Sequence, residues 1–255
     1  ELANKYDLCV IEDCAQAHGA RFNGVSVGTF GDIGVFSLNV NKSIQTGEGG
    51  VCITTSEDIA YRLALIRNHG EAVVGPANYQ DLCNIIGFNF RLTELQAAIG
   101  REQLKKLDGL NEHRLELVNY LTENLFDHPY LSVPLKSDSS KSTYYVYPIR
   151  FEPSKANTTR NNFARALNAE GAEFFQGYVE PLYLQPLYQS QKLFRHSYPF
   201  AAPENIDHTA RYEKGTCPIA EILHYEKMLI NEHVRYPHTL EDMKQLVRII
   251  DKVTG

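Results

Sequence analysis

The sequence predicts an α/β lobe built on a mostly parallel sheet, followed by a smaller α+β lobe. Three short apolar runs come early, rich in β-branched residues and bounded by glycine or aspartate, at residues 8–11, 33–36 and 51–55. Such runs are typical of buried strands in a parallel sheet. Helical patterns follow them, and the second half of the chain mixes strand-like and helical patterns, which predicts the smaller lobe.

Two capping signals place the helices of the first lobe. Ser56 precedes two acidic residues, which predicts an N-cap for a helix reaching about residue 68. Thr93-Glu-Leu-Gln96 is a capping box, which predicts the start of a long helix. We expect Gly109 to interrupt that helix and a second helix to end near residue 126.

Composition shifts at residues 128–143, which are rich in proline, serine, lysine and aspartate. This shift predicts a domain boundary, with one domain at residues 1–127 and another at 128–255. In the second domain we expect strands at 144–151 and 173–178, helices at 158–169 and 239–253, and an irregular connection at 181–203.

The first residues also carry information about the parent protein. Residues 1–6 read like the tail of a helix leading directly into the apolar run at 8–11. An α/β domain that began there would lack the elements beside its first strand. We therefore expect this chain to be the later part of a longer protein.

Composition narrows the class of protein. The 255 residues carry a formal net charge of −6 without a basic block, so nucleic acid and anionic membranes are not expected partners. No apolar stretch approaches the roughly 20 residues that cross a bilayer. The five cysteines are odd in number and scattered, which indicates reduced thiols in a cytoplasmic protein and neither a disulfide framework nor a metal site.

A lysine and an aspartate stand at the ends of neighbouring predicted strands. Asp13 follows the run at 8–11, and Lys42 lies between Phe36-Ser37 and the turn Gly47-Glu-Gly-Gly50. Taken singly, such an aspartate is usually a turn residue and such a lysine is usually solvated. Together they are what a pyridoxal phosphate site requires, since the cofactor needs a lysine for its Schiff base and an acid for its ring nitrogen.

Other polar residues are candidates for the same site. Ser37 is placed to donate to the cofactor phosphate, although a loop serine often bonds its own backbone instead. Gln16 is expected near the 3-oxygen of the ring, and His18 faces the same crevice in a role that is structural or substrate-binding. Asn89 and Arg91, in a loop before the capped helix, are candidates to bind phosphate or substrate. The glycines at 28, 31 and 34 have the wrong spacing for a dinucleotide fingerprint.

These residues form an ordered set that resembles a known family. The segments are Glu12-Asp-Cys-Ala-Gln-Ala-His-Gly-Ala20, Gly31-Asp-Ile-Gly-Val-Phe-Ser37, Lys42, Thr46-Gly-Glu-Gly-Gly50, Asn68-His-Gly70, Gly87-Phe-Asn-Phe-Arg91 and Glu94-Leu-Gln-Ala-Ala98. The chain resembles the DegT/StrS-type sugar aminotransferases, which are fold-type I enzymes that use pyridoxal phosphate. The match is dense from about residue 6 to 114 and thins beyond residue 144.

The resemblance implies roles for individual residues. Lys42 matches the Schiff-base lysine, Asp13 the partner of the ring nitrogen, Gln16 a ring contact and Ser37 a phosphate ligand. Asn89 matches a phosphate ligand that reaches into the neighbouring subunit's site, which implies a homodimer. Lys42 also argues against the dehydratase branch, where a histidine replaces the lysine.

One departure from the family concerns the segment before the Asp13 strand. Family members have there a helix N-terminus that binds the phosphate and an aromatic residue that stacks on the ring. Neither is present here, so we expect this chain alone to bind pyridoxal phosphate poorly or not at all.

The substrate is less specified than the cofactor. The segment Cys217-Pro-Ile-Ala-Glu221 resembles the branch acting on cyclitols, aminoshikimate-type rings or keto-sugars, and Tyr178 is expected near the substrate mouth. We expect transfer of an amino group from glutamate or glutamine to a keto-sugar or cyclitol. The alternatives are a sugar dehydratase, an aminoshikimate-type synthase, or a catalytically silent fragment that supports a complete subunit.

Overall fold

The chain forms two compact units in a computed structural model that describes residues 1–70, 85–192, 194, 198–203 and 212–255. The first unit comprises Glu1–Leu115 and Lys136–Tyr145, and the second comprises Glu116–Leu135 and Val146–Gly255. Compact units defined by contacts are not in themselves folding domains. The division into domains at residues 127 and 128 therefore stays a prediction.

The first unit contains a small sheet, a hairpin and several helices. Its elements are α1 (Leu2–Tyr6), β1 (Ile11–Asp13), β2 (Arg21–Phe22), β3 (Val25–Ser26), β4 (Ile33–Ser37), β5 (Gly50–Ile53), α2 (Glu57–Arg67), α3 (Glu94–Leu104) and the start of α4 (Leu107–Leu125). Further strands appear later in the chain, at β6 (Leu131–Ser132) and β7 (Ser140–Lys141), and β7 completes a second sheet with β2 and β3.

The main sheet of this unit is mixed, so the expectation of a mostly parallel sheet is wrong for the described strands. Their order is β1-β4-β5, with β4 parallel to β1 and antiparallel to β5. The reason is the return at residues 38–49, which forms turns and bends but no helix and brings the chain back directly beside β4. A parallel partner for β4 would need a crossover connection, usually a helix, to carry the chain to the other end of the sheet.

The expected burial of the outer strands is also wrong. Leu8 is 58% exposed and Ile11, where β1 begins, is 65% exposed, because no described segment covers either side chain. Every residue of β5 is exposed or half-buried. The first unit therefore presents apolar side chains on the surface that the described residues leave uncovered.

Both capping predictions are confirmed, whereas the predicted position of the helix break is wrong. Ser56 accepts a hydrogen bond from the backbone of Ile59, and Thr93 and Gln96 form the capping box of α3. The helix break falls between Leu104 and Leu107, not at Gly109, which lies inside α4. A Cβ at Gly109 would meet no atom within 4 Å, so this glycine is tolerated on an open helix surface.

The hairpin of β2 and β3 was not predicted, although the sequence signals it. Asn23 and Gly24 connect the two strands, and both have positive φ values of 49° and 78°. Asn-Gly is a preferred pair for a two-residue hairpin turn because both positions need a left-handed backbone.

The second unit surrounds an antiparallel sheet of order β6-β8-β10-β9. Its remaining elements are β8 (Tyr147–Phe151), α5 (Pro153–Ala156), α6 (Arg160–Ala169), β9 (Phe175–Gln176), α7 (Pro186–Ser190), α8 (Pro218–Ile222), β10 (Met228–Asn231) and α9 (Leu240–Thr254). A 3₁₀ turn lies at Leu182–Leu184 and a π-helical turn at Leu223–Lys227. In the part of the chain described here, no helix has the length and apolarity to cross a bilayer.

Predictions for this unit hold best where periodicity is strong. Helix α9 begins at a capping box of Thr239 and Asp242 and buries Met243, Leu246 and Ile250. Helices α6 and α9 pack together, and Phe163 of α6 stacks on Phe151 with ring centroids 4.7 Å apart. The strand β10 was missed because its four residues are too short to show a period.

A buried arginine joins α6 to the segment before β10. Arg160 is 4% exposed and donates from Nη1 to the carbonyl oxygens of His224 and Met228, at 3.2 and 2.6 Å. Its Nη2 donates to the carbonyl of Tyr225 at 2.7 Å. Burial lowers the pKa of this guanidinium. Three carbonyls of the π-helical turn and of the start of β10 therefore share one desolvated cation as a donor, and Met228 O also accepts from the amide of Gly177 at 2.8 Å.

Replacement of this arginine tests the dependence. We expect Arg160→Met to lower the free energy of unfolding by about 2–4 kcal/mol, because the carbonyls lose a charged donor and stay buried. Arg160→Lys should recover part of this loss, since an ammonium cannot match the planar fork. Urea denaturation measures both. Arg248→Met is the control, because Arg248 is 73% exposed, and an Arg160→Met stability equal to that of the control would contradict the assignment.

Candidate active site

The parallel pairing of β1 and β4 brings two of the predicted residues to one edge of the sheet. Asp13, the last residue of β1, pairs with Val35, and β4 ends two residues later at Ser37. The carboxyl ends of parallel strands share an edge of their sheet. The carboxylate and the hydroxyl therefore follow the same edge, as the sequence analysis expects.

The loop that carries Lys42 is closed by backbone hydrogen bonds. The amide of Leu38 donates to Gly49 O at 2.8 Å, and the amide of Thr46 donates to Leu38 O at 2.9 Å. The side chain of Gln96 in the α3 capping box donates to Glu48 O at 2.8 Å. Gly49 has a φ of 154°, and a Cβ there would lie 2.8 Å from Thr46 Oγ1. The glycine run thus permits a tight return that fixes the base of the lysine loop.

Lys42 itself is half-buried, and its amine lies over an aromatic ring. The Nζ atom is 4.7 Å from the ring centroid of Tyr145. Tyr145 was not among the predicted site residues. It lies about a hundred positions further along the chain, and no local pattern connects it with the lysine.

Asp13 and Ser37 each make one local contact. Asp13 Oδ1 accepts from the amide of Ala15 at 3.0 Å, and Ser37 Oγ accepts from the amide of Asn39 at 3.3 Å. Both are local turn contacts of the kind that aspartate and serine side chains usually make with nearby backbone. Within the described ranges, Asp13 Oδ2 and the Ser37 hydroxyl hydrogen make no further hydrogen bond, so both retain capacity for a ligand. Gln16 is exposed beside Asp13.

His18 is buried, at 4% exposure, against Phe36 with ring centroids 5.6 Å apart. Neither ring nitrogen has a hydrogen-bond partner of ordinary geometry among the residues described. Burial lowers the pKa of the imidazole, the Ser37 backbone raises it less, and the charges of Lys42 and Arg114 lower it further. An imidazole with a lowered pKa therefore lines an apolar cavity of about 510 Å³ within the first unit.

Glu12 is a positioning residue that the sequence analysis missed. Its carboxylate accepts from the backbone amides of Gly28, Phe30 and Gly31 at 2.8, 2.6 and 2.8 Å. Burial raises the pKa of this carboxyl, but the three amides together hold it below its ordinary value of 4.5. Glu12 thereby fixes the glycine turn that leads into β4. Neighbouring side chains of a strand point to opposite faces of the sheet, so Glu12 and Asp13 face different surroundings. This alternation is the sequence signal that Glu12 has a different role from Asp13.

Asn89 and Arg91 lie in the segment that follows residues 71–84. Asn89 pairs with Asn68 in an isolated antiparallel bridge, and Arg91 Nη1 donates to Asn68 Oδ1 at 2.8 Å. Both residues are exposed. Tyr178 belongs to the second unit and is 47% exposed.

The residues at the sheet edge fit the groups of pyridoxal phosphate by their chemistry. An amine in a closed loop suits an aldehyde, a carboxylate with a free oxygen suits a protonated ring nitrogen, and a hydroxyl with its hydrogen available suits a phosphate. This donor set lies within the first unit, at Lys42, Asp13 and Ser37.

The Glu12 carboxylate makes stability depend on pH. Because the pKa is lower in the folded chain, the stabilisation is present above the ordinary value of 4.5 and is lost as pH falls through the folded value. We expect Glu12→Gln to cost about 1–2 kcal/mol at neutral pH. The difference from the unaltered chain should shrink below pH 4.5 in denaturation series. A difference that is constant with pH would show that charge has no part in holding the turn.

Comparisons with known proteins identify the family of the chain. The sequence profile of the DegT/DnrJ/EryC1/StrS aminotransferase family matches residues 1–230. A putative L-glutamine:3-amino-2,3-dideoxy-scyllo-inosose aminotransferase from Streptoalloteichus tenebrarius is 32% identical over 260 residues, covering 99% of this chain and 60% of that protein. GDP-perosamine synthase from Escherichia coli O157:H7 is 34% identical over 184 residues, covering 72% of this chain and 49% of that protein.

Solved structures give the same result for the fold. The structure of the aminotransferase from Psychrobacter cryohalolentis has a TM-score of 0.77 and 29% identity, covering 99% of this chain and 63% of that chain. This chain thus spans about three fifths of the relatives that it matches along its whole length. On the match to residues 1–230, the chain belongs to the DegT/DnrJ/EryC1/StrS aminotransferase family.

Proposed function

We propose that this chain carries the lysine-bearing part of an aminotransferase site that moves an amino group to the keto group of a sugar or cyclitol. The observation that carries the proposal is the closed loop of Lys42 at the sheet edge that also bears Asp13 and Ser37. The amino donor is glutamate or glutamine. Family membership supports this chemistry, and the sheet edge supplies the amine and the carboxylate that it needs.

Pyridoxal phosphate, when bound, withdraws electrons from the carbon that gains or loses the amino group and so makes a proton on that carbon removable. Lys42 Nζ would hold the cofactor through its aldehyde carbon, with loss of water, and its free amine would carry that proton. The Asp13 carboxylate would accept a hydrogen bond from the ring nitrogen and keep it protonated. The Ser37 hydroxyl would donate to the phosphate, and the Gln16 amide would orient the ring at its 3-oxygen.

The substrate class rests on the relatives. Their names specify an inosose aminotransferase with L-glutamine as donor in Streptoalloteichus tenebrarius and a GDP-perosamine synthase in Escherichia coli. A cyclitol and a nucleotide-linked sugar thus both occur among similar proteins, and the proposal stays at keto-sugars and cyclitols. We assign His18, Arg91 and Tyr178 to the substrate side. The unbonded nitrogens of His18 support its assignment, whereas Arg91 is already engaged by Asn68.

A homodimer is part of the proposal. The first unit exposes apolar side chains such as Leu95 at 79% and Leu104 at 61%, and surface of this kind usually marks an interface. Asn89 is exposed, as a phosphate ligand for the neighbouring subunit must be.

We place the protein in the cytoplasm, since Cys9, Cys14, Cys52 and Cys217 are free thiols.

A supporting role in a larger assembly is the second candidate. The chain spans about three fifths of its relatives, and the apolar surface of the first unit suits a covering partner. Adding the chain to a full-length family member would raise activity or change mass if this role is correct. Unchanged activity and unchanged mass would remove it.

Covalent trapping tests the lysine assignment. At high concentrations of pyridoxal phosphate, which offset the weak binding expected of this chain alone, we expect borohydride reduction to leave a pyridoxyl group on Lys42, identified by peptide mapping. Lys42→Arg should abolish the label at this position, because a guanidinium does not form the bond. Lys141→Arg, at an exposed lysine of the same unit, should leave the labelling of Lys42 unchanged. Equal labelling of many surface lysines would contradict a dedicated site.

Cofactor retention tests the role of Asp13. We expect Asp13→Asn to weaken binding of pyridoxal phosphate about tenfold or more, since a charge-assisted hydrogen bond to the ring nitrogen is lost. Absorbance titration followed by dialysis measures this affinity. Asp7→Asn is the matched control, because Asp7 is exposed and has a φ of 52°, which asparagine also adopts readily. Equal affinities for the two variants would exclude Asp13 as the ring partner.

A further inference from the structure

We propose that Tyr145 is a positioning residue for Lys42, whose ammonium rests on the aromatic face whenever it is not bonded to cofactor. The contact between Lys42 and Tyr145 is argued from geometry alone. Its role in holding the free amine rests on the proposed function. The Nζ atom of Lys42 lies 4.7 Å from the centroid of the Tyr145 ring, within the range of a cation–π interaction. In the described part of the chain, no carboxylate forms an ion pair with this amine.

A buried arginine fixes both partners. Arg114 of α4 is 4% exposed, and its Nη1 donates to Ser43 Oγ at 2.6 Å and to Thr143 O at 3.3 Å. Ser43 follows Lys42 directly, and Thr143 precedes Tyr145 by two positions. One guanidinium therefore ties the lysine loop to the segment that carries the ring. All these residues belong to the first unit.

The charge distribution explains why an aromatic ring suits this place. Lys42 and Arg114 both lie near enough to His18 to act on its titration. Two positive charges thus share a partly desolvated region. The negative face of an aromatic ring attracts an ammonium without adding a formal charge that would compete for Arg114.

The backbone beside the ring is constrained. Tyr144 has a φ of 45°, a left-handed conformation that is uncommon for a bulky residue. Such conformations persist where the surroundings determine them and are frequent at functional sites. The hydrogen bond from Arg114 to Thr143 holds the segment at this turn, and the turn directs the ring of Tyr145 toward Lys42.

The contact predicts whether loss of the Tyr145 ring strengthens or weakens the bonding of Lys42 to the cofactor. The ring stabilises the free ammonium and gives nothing to the amine once it is bonded to the cofactor. Removing the ring should therefore favour the bonded form. A residue that merely supports the fold would have the opposite effect, because its loss would loosen the loop and weaken capture.

Nuclear magnetic resonance on the full chain tests the contact itself. With ¹³C-labelled lysine, we expect the ε-methylene protons of Lys42, assigned with Lys42→Arg, to be shifted upfield by the ring current. Tyr145→Leu should abolish this shift and Tyr145→Phe should retain it. Lys5, 5.0 Å from the Tyr6 ring, and Lys214, 5.1 Å from the Tyr225 ring, are internal controls that should not change. An unaltered Lys42 signal in Tyr145→Leu would overturn the proposal.

Borohydride trapping at graded concentrations of pyridoxal phosphate tests the resting role. We expect Tyr145→Leu to lower the half-saturating concentration for Lys42 labelling about two- to fivefold, and Tyr145→Phe to match the unaltered chain. Weaker labelling in Tyr145→Leu would overturn the resting role. If the unaltered chain shows the ring-current shift but no labelling of Lys42, the proposed function fails while the contact stands. If Lys42 is labelled but shows no ring-current shift, the contact with Tyr145 is wrong while the proposed function stands.

Discussion

The parallel pairing of β1 with β4 is the constraint on which the site depends. It sets Asp13 opposite Val35 and so places the carboxylate at the edge where β4 ends and the lysine loop begins. A slip of one residue would turn the Asp13 side chain to the other face of the sheet. The antiparallel return to β5 then fixes the far end of the loop at Gly50. Asp13 and Ser37 thus end neighbouring strands at one edge of the sheet, and the loop of Lys42 begins at that edge.

Charged side chains that bond to backbone stabilise the connections on either side of this arrangement. Glu12 accepts three amides of the turn before β4, and Arg114 bonds to both the lysine loop and the segment at Thr143. In the second unit Arg160 does the same for the turn before β10. Each of these groups satisfies backbone or hydroxyl partners that regular secondary structure leaves open. Loops without an apolar core of their own can thereby keep one conformation.

Local patterns in the sequence predict those parts of the site that are formed by neighbouring residues. The glycine run after Lys42 indicates a tight return, and the capping box at Thr93 indicates the helix that anchors it. Long-range partners leave no such pattern. The antiparallel direction of β5, the exposure of Ile11 and the contact of Tyr145 with Lys42 all depend on which segments meet in space. Glu12 shows the same limit, since an acid beside Asp13 does not reveal that its partners are amides near residue 30.

A crystal structure of the chain with pyridoxal phosphate tests the central claim most directly, because it shows the sheet edge and the cofactor together. The account predicts continuous density from Lys42 Nζ into the cofactor, with the ring nitrogen on the Asp13 carboxylate and the phosphate near Ser37. It also predicts that Nζ leaves the face of Tyr145 in that complex. Cofactor bound away from this edge, with Lys42 still on the ring of Tyr145, would contradict the assignment of the site.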